Sequence, residues 1–171
     1  MEPFRNEPYS DFSTAEPRDA YLDALAIVAA KLGGHVPVVV DGKPVATDDH
    51  ITSIDPALPD VVVGTTGLAS RAEAQLAIDA AARAFKDWSR RPVEERAGYV
   101  HRIGDLMAER KFELSAWMTR EAGKNWAESE ADVAEAIDFC RFYAHQAVRL
   151  AEPLPVVEYP GEMNESFLIP M

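Results

Sequence analysis

The feature that most constrains this chain is a long amphipathic helix predicted over its last third, ending near Leu150. Small and apolar residues recur there every three or four positions, which is the spacing of one face of an α-helix. These residues are Val133, Ile137, Cys140, Ala144 and Ala147. We therefore expect this face to point into a protein core, with the charged residues of the helix on its other sides.

Three further helices are predicted upstream, each with a local start or stop signal. The first follows Pro17 and ends at Gly33-Gly34, since glycine readily terminates a helix. The second opens at Ser70, where Glu73 completes a capping box. The third begins at Pro92 and is interrupted within the sequence ERKFEL. Its predicted buried stripe consists of Ala97, Val100, Ile103 and Met107.

Short strands are predicted between the first two helices. The run VPVVVDGKPV reads as a hairpin around Asp41-Gly42, because both turn positions tolerate a positive φ. Residues 51–54 and 61–63 are further strand candidates, separated by the turn-prone sequence DPALPD. We therefore expect a mainly helical α+β chain with short antiparallel hairpins. Its three predicted parts are an arm and first helix (1–34), strands and helices (35–153), and a proline-rich β-segment (154–171).

Composition limits the classes of function. The net charge is −12, which disfavours nucleic acids and anionic membrane surfaces as partners. The sequence contains no apolar run long enough to span a membrane. A single cysteine allows no intramolecular disulfide and is typical of a reducing compartment. We therefore expect a cytoplasmic protein.

Few residues are candidates for chemistry. Cys140 lies on the predicted core face of the last helix, so a packing role is favoured over a nucleophilic one. The four histidines are scattered and share no metal-ligand spacing. Gly64 and Gly67 lie between a strand and a helix, as in a phosphate loop. However, the lysine and third glycine of such loops are missing, which favours a plain connection.

The acidic residues of the last helix fall into two groups. Glu128, Glu130 and Asp132 are interpreted as a solvated acidic start of the helix, favoured by the helix dipole. Asp132 also begins a second face, which continues through Glu135, Phe139 and Phe142. An acid beside two phenylalanines is unusual on a solvated surface and indicates an interface or a pocket. Glu135 therefore remains open to either a solvated or a functional role.

Several longer segments resemble a known family. They are PYSDFS, VDGKPV, SIDPALPDVVVGTTGLASRAEAQLAIDAAARAFKDWSRRPVEERA and EAGKNWAESEADVAEAIDFCRFYA. Together they are similar to the amino-terminal part of aldehyde dehydrogenases, over nearly the whole chain. Within that superfamily they most resemble the 1-pyrroline-5-carboxylate dehydrogenases, also called L-glutamate γ-semialdehyde dehydrogenases.

The resemblance implies an α/β enzyme that uses NAD, in which residues 35–153 begin the NAD-binding domain. A cysteine thiolate attacks the aldehyde, hydride passes to NAD, and a glutamate activates the hydrolytic water. Cys140 does not match the motif of that nucleophile, and the catalytic residues are expected beyond this segment. Alone, the chain is therefore expected to be inactive. Residues 154–171 are expected to start the β-segment through which subunits of the family form homo-oligomers.

The resemblance also implies roles for five residues. Glu135 is expected near the bound aldehyde, where it would receive the amino-acid head of the substrate, and Phe139 and Phe142 would shape the wall. Ile54 and Glu121 are expected near a structural cation site. Two alternatives remain: another semialdehyde dehydrogenase of the same superfamily, or a free-standing helical interaction module.

Overall fold

The computed structural model describes residues 4–151; residues 1–3 and 152–171 lie outside that range, and with them the predicted β-segment 154–171. The described helices are α1 (Ala15–Ala29), α2 (Arg71–Trp88), α3 (Val93–Glu109), α4 (Lys111–Ala122) and α5 (Trp126–Ala151). The described strands are β1 (Gly34–Val36), β2 (Val38–Val40), β3 (Lys43–Val45), β4 (Asp49–Asp55) and β5 (Leu58–Leu68). The predicted fold class, a mainly helical α+β chain with short antiparallel pairs, is confirmed.

The predicted hairpin is present. Strands β2 and β3 pair antiparallel, with Val38 opposite Val45 and Val40 opposite Lys43. The two turn residues, Asp41 and Gly42, have φ angles of 54° and 72°. Both positions therefore lie in the left-handed region that a tight two-residue hairpin turn requires.

A second sheet contains three strands in the order β1-β5-β4. β5 pairs antiparallel with β4 and parallel with β1, and this parallel pair was not predicted from the sequence. β4 and β5 are also longer than the predicted strands 51–54 and 61–63. The intervening turn is short because the Asp55 carboxylate accepts hydrogen bonds from the backbone N–H groups of Ala57 and Leu58, at 2.9 and 3.2 Å.

Helix α2 begins at the predicted capping box. Ser70 Oγ accepts a hydrogen bond from the Ala72 N–H at 3.0 Å, and the Glu73 carboxylate accepts one from the Ser70 N–H at 2.7 Å. Hydrogen bonds from the Ser70 side chain and backbone also lower the pKa of Glu73. Along the helix, only Ala80 is buried, while Leu76 and Phe85 are more than half exposed. The apolar face of α2 is therefore largely open in the described part of the chain.

The face of α3 that packs on α5 only partly matches the predicted stripe. Ala97 and Gly104 are buried, whereas Val100 and Ile103 are 37% and 51% exposed. A Cβ atom added at Gly104 would lie 3.1 Å from the Cβ of Cys140 and 3.2 Å from the Cγ of Arg141. The absence of a side chain at Gly104 allows the two helices to approach closely, and this contact rotates the larger aliphatic residues outward. The predicted stripe was therefore wrong at Val100 and Ile103.

The core centres on Tyr21 of α1, which is fully buried with Val28 and Ala116. The Tyr21 ring stacks on Trp126 of α5 at 4.7 Å between centroids, and its hydroxyl lies 2.9 Å from Thr119 Oγ1. The ring of Phe12, which precedes α1, lies edge-on against both aromatic rings. The core stripe predicted for α5 is confirmed at Val133, Ile137 and Ala144. These contacts fix α1 and the arm before it against α4 and α5.

An ionic contact also joins α1 to α4. The Glu113 carboxylate lies 2.5 Å from Lys31 Nζ, just after α1, and 3.0 Å from Arg110 Nε. The hydrogen bonds from Arg110 and Lys31 lower the pKa of Glu113 to about 2. Within residues 4–151, no helix combines the length and apolarity needed to cross a membrane.

Candidate functional site: a groove between helix α5 and the amino-terminal arm

The three predicted substrate-binding residues line one groove. Glu135, Phe139 and Phe142 lie along the outer side of α5, and the groove beside them has a volume of about 550 Å³. Its opposite side is formed by the amino-terminal arm, which we define as residues 4–14, through Phe4, Asn6 and Tyr9. The remaining lining residues are Ala131, Asp132 and Asp138. The structure thus brings together the face predicted from the helical spacing.

The aromatic side chains of the groove are accessible. Phe139 is 51% exposed and Phe142 is 38% exposed. The ring of Phe4 from the arm packs edge-on against Phe142, with 5.3 Å between their centroids. Apolar surface of this kind can bind the carbon chain of a small molecule, while nearby polar groups orient its head.

Most of the acids in and around the groove are already paired. The Asp138 carboxylate accepts hydrogen bonds from Asn6 Nδ2 and from the Glu7 N–H, both at 2.7 Å. Asp132 forms an ion pair with Lys124. Glu135, by contrast, is exposed and has no hydrogen-bond or ion-pair partner among residues 4–151. It is therefore the acid of this groove that is free to bind a cationic ligand.

Glu130 does not belong to a solvated acidic cluster, and that interpretation was wrong. Its side chain is 2% exposed and lies beneath the arm. The carboxylate accepts hydrogen bonds from the Ser10 N–H at 3.0 Å and the Ser10 Oγ at 2.5 Å, and it lies 2.9 Å from Lys111 Nζ. Asp132 pairs with Lys124 but its side chain is still 38% exposed, and Glu128 is exposed, so the solvated interpretation holds for these two acids.

The sequence did carry a signal for the burial of Glu130. Trp126, Glu130, Val133 and Ile137 follow one another by four, three and four positions, so Glu130 lies on the core stripe of α5. A carboxylate on such a stripe requires a buried cation and hydrogen-bond donors. Lys111 supplies the cation, and it also donates to the Pro8 carbonyl at 2.9 Å.

Comparison with known proteins identifies the family. The aldehyde dehydrogenase family model matches residues 44–171 of the chain. The chain belongs to the aldehyde dehydrogenase family. The resemblance inferred from the sequence motifs is therefore confirmed.

Within the aldehyde dehydrogenase family, the chain is similar over its whole length to enzymes named 1-pyrroline-5-carboxylate dehydrogenase. The 1-pyrroline-5-carboxylate dehydrogenase of Geobacillus thermodenitrificans (strain NG80-2) is 42% identical over 171 residues, which are 100% of this chain and 33% of that protein. The corresponding enzyme of Bacillus pumilus (strain SAFR-032) is 44% identical over 168 residues, or 98% of this chain and 33% of that protein. The chain spans about one third of the length of the curated relatives it matches.

The fold of the chain is also similar to part of a solved 1-pyrroline-5-carboxylate dehydrogenase structure. That structure is 1-pyrroline-5-carboxylate dehydrogenase from Thermus with bound NAD, and it is 46% identical with a TM-score of 0.88. The match covers 94% of this chain and 31% of that one. The helices and strands described above therefore correspond to part of an aldehyde dehydrogenase fold.

The connection between β5 and α2 lacks the features of a phosphate-binding loop. The first turn of α2, where β5 leads into a helix, is occupied by its own Ser70 and Glu73 side chains. A carboxylate at that position would repel a phosphate. In addition, a Cβ at Gly67 would meet Thr47 Oγ1 at 2.6 Å, so this glycine is needed for packing within the protein. A nucleotide phosphate therefore does not fit at the start of α2, and β5 is joined to α2 by a plain connection.

The predicted cation site lies where β4 meets the end of α4. The Glu121 carboxylate accepts a hydrogen bond from Ser53 Oγ at 3.0 Å, and Ile54 is the next residue along β4. Gly123, with a φ of 68°, ends α4 against Pro56. A carboxylate and a backbone carbonyl are donors suited to a hard cation. However, no cluster of three or more His, Cys, Asp or Glu residues occurs within the described range, so this site remains a prediction.

Cys140 lies between helices rather than in the groove. It is partly buried on α5, and its Cβ is among the atoms that a side chain at Gly104 of α3 would meet. This position agrees with the packing role inferred from the sequence. Among the described residues, those that line the groove include no cysteine, serine or lysine.

Proposed function

We propose that the chain is part of an aldehyde dehydrogenase that oxidises L-glutamate γ-semialdehyde, the open form of 1-pyrroline-5-carboxylate, to glutamate with NAD. The identities above 40% to enzymes of that name, extending over almost the whole chain, support this proposal. So does the Thermus enzyme, whose structure contains bound NAD. From the resemblance we expect the catalytic cysteine and glutamate to lie beyond this segment, so the chain alone should have no turnover.

Within this function, the role of the groove is to hold the amino-acid end of the substrate. The single observation that carries this assignment is that Glu135, which has no hydrogen-bond or ion-pair partner among residues 4–151, shares one groove with Phe139 and Phe142. The substrate has an α-ammonium group, which a carboxylate attracts and which aromatic faces also stabilise. The phenylalanine side chains would contact the carbon chain between the ammonium group and the aldehyde. Simple aliphatic aldehydes lack the ammonium group and would gain nothing from Glu135.

The test uses the complete dehydrogenase with Glu135→Ala. Loss of one charge-assisted contact should raise KM for glutamate semialdehyde by about tenfold, with little change for propanal. The matched control is Glu128→Ala, which removes an exposed acid from the same helix outside the groove. It should leave both KM values unchanged. Equal effects of Glu135→Ala on the two aldehydes would contradict the assignment.

The remaining parts of the proposal concern the assembled enzyme. We expect a cytoplasmic homo-oligomer joined through residues 154–171, and a cation held by Ile54 and Glu121. A panel of semialdehydes of different length distinguishes the proposed substrate from those of other superfamily members. A helical interaction module would show no oxidation of any of them.

A further inference from the structure

The amino-terminal arm is held in place by residues that do not themselves face the groove. Glu130 and Lys111 lie beneath it and bind its backbone at Ser10 and Pro8. Between these two anchored positions, Tyr9 points away from the core, since it is 72% exposed, and it lines the groove. The position of Tyr9 is therefore set by contacts on either side of it rather than by burial of its own ring.

A second set of contacts holds the start of the arm. Asp138 binds Asn6 and the Glu7 N–H, and the Glu7 carboxylate lies 2.8 Å from Arg141 Nη1. Desolvation works against the charge of Arg141, but Glu7 and Asp105 more than offset it, so the pKa of Arg141 is raised. Arg141 is therefore held in its charged form. The arm is fastened to α5 at both ends of the groove.

We propose that the arm is a specificity element of the substrate groove and that Glu130 is the positioning residue that holds Tyr9 in its wall. This inference rests on the proposed function of the groove. Glu130 is buried under the arm and does not line the groove, so it acts on the substrate through the arm, which it and Lys111 hold at Ser10 and Pro8. It should therefore affect binding of the substrate head and leave the chemical step unchanged.

Two substitutions separate the positioning role from the wall itself. Glu130→Gln keeps the size of the side chain and an oxygen that can accept from Ser10, but removes the charge that attracts Lys111. Tyr9→Ala removes the wall and leaves the anchors intact, and because Tyr9 is mostly exposed the fold should tolerate the change. Glu128→Gln is the matched control, since it neutralises an exposed acid of the same helix.

The experiment measures two properties of the complete enzyme: steady-state kinetics with glutamate semialdehyde and with propanal, and amide hydrogen exchange at Glu7 and Ser10. Both substitutions should raise KM for the semialdehyde by about tenfold, because one wall of the site is lost or displaced. Neither should change kcat or KM for propanal. Glu130→Gln should also speed exchange at Ser10 without affecting Ile137 in the core, whereas Tyr9→Ala should not.

Two outcomes would overturn the inference. One is an unchanged KM in Tyr9→Ala, and the other is faster exchange at Ser10 in Glu130→Gln with no change in KM. Failure of the proposed function gives a different result, namely wild-type enzyme that prefers another aldehyde. In that case the same comparison of KM, made with the preferred aldehyde, decides whether the arm selects substrates.

Discussion

Removing the carboxylate beneath the arm should destabilise the chain strongly, and Glu130→Ala is the change that tests this. Glu130 is 2% exposed and its ion-pair partner Lys111 has a side chain only 13% exposed. Truncating one member of a buried pair typically costs about 3–5 kcal/mol, because the other charge is left without its partner. Lys111 keeps the Pro8 carbonyl at 2.9 Å and Glu7 at 3.5 Å. We therefore expect the lower end of that range, about 3 kcal/mol.

The assay is urea denaturation of the 171-residue chain, with unfolding monitored by tryptophan fluorescence. Trp117 and Trp126 pack against the core around Tyr21, whereas Trp88 is 40% exposed on α2. Trp88→Phe, introduced into every variant, leaves the two core indoles as reporters. The free energy of unfolding is then extrapolated from the transition of each variant.

A double-mutant cycle separates the ion pair from the other contacts of Glu130. The cycle consists of the wild type, Glu130→Gln, Lys111→Met and the double variant. If the two charges interact as their 2.9 Å separation indicates, the double variant should lose less stability than the sum of the single ones, by about 1–3 kcal/mol. A loss below about 1 kcal/mol in Glu130→Ala, or strict additivity in the cycle, would refute the reasoning.

Two further predictions concern contacts between helices. The pKa of Glu113 is about 2 when folded against an ordinary value of 4.5, so its contribution to stability is complete above pH 4.5 and is lost as the pH falls towards 2. In urea titrations at successive pH values, Glu113→Gln should therefore be less stable than wild type at pH 6, and the difference should vanish near pH 2; a constant difference would contradict this. Gly104→Val should lower the free energy of unfolding by about 1–3 kcal/mol because the α3–α5 contact has no room for a side chain. Gly98→Val on the same helix meets nothing within 4 Å and should not destabilise, since valine has a higher helix propensity than glycine; equal losses at the two glycines would show that the contact at Gly104 is not responsible.

The elements that could be predicted from sequence are those specified by neighbouring residues. The turn at Asp41-Gly42 and the capping box at Ser70 and Glu73 each depend on two to four consecutive positions, and both are present. The same holds for the end of α4 at Gly123, whose φ of 68° suits glycine. Local backbone preferences are strong enough at these positions to act without help from the rest of the fold.

The parts that were mispredicted depend on contacts between distant segments. Apolar periodicity identified α3, but the close approach of α5 at Gly104 decided which of its faces is buried. Glu130 was interpreted as solvated because acids near a helix start usually are. Its true partners, Ser10 and Lys111, lie 120 and 19 residues earlier in the chain. No local pattern identifies these partners, although the position of Glu130 on the core stripe indicated that it is buried.

The groove face was predicted correctly because it needed only helical spacing. Asp132, Glu135, Phe139 and Phe142 lie on one side of α5 in any regular helix. What spacing could not show is that the other side of the groove is made by the arm. That side depends on three contacts that hold the arm on α5, namely those of Asp138 with Asn6, Glu130 with Ser10, and Glu7 with Arg141. The interpretation of the groove as a binding site therefore depends on a local pattern, the helical spacing on α5, and on a long-range contact, that of the arm with α5.

The arm and the residues that hold it are far apart in sequence, which affects the order of folding during synthesis. Asn6, Glu7 and Ser10 bind residues that follow them by 120 to 132 positions. At a synthesis rate of about 5–20 residues per second, the arm waits roughly 6 to 26 seconds before its binding surface on α5 has been translated. During that interval Phe4 lacks its partner Phe142 and Phe12 lacks its partner Trp126. Docking of the arm is thus a late folding event, because it requires Glu130, Asp138 and Arg141 of α5 to have been translated.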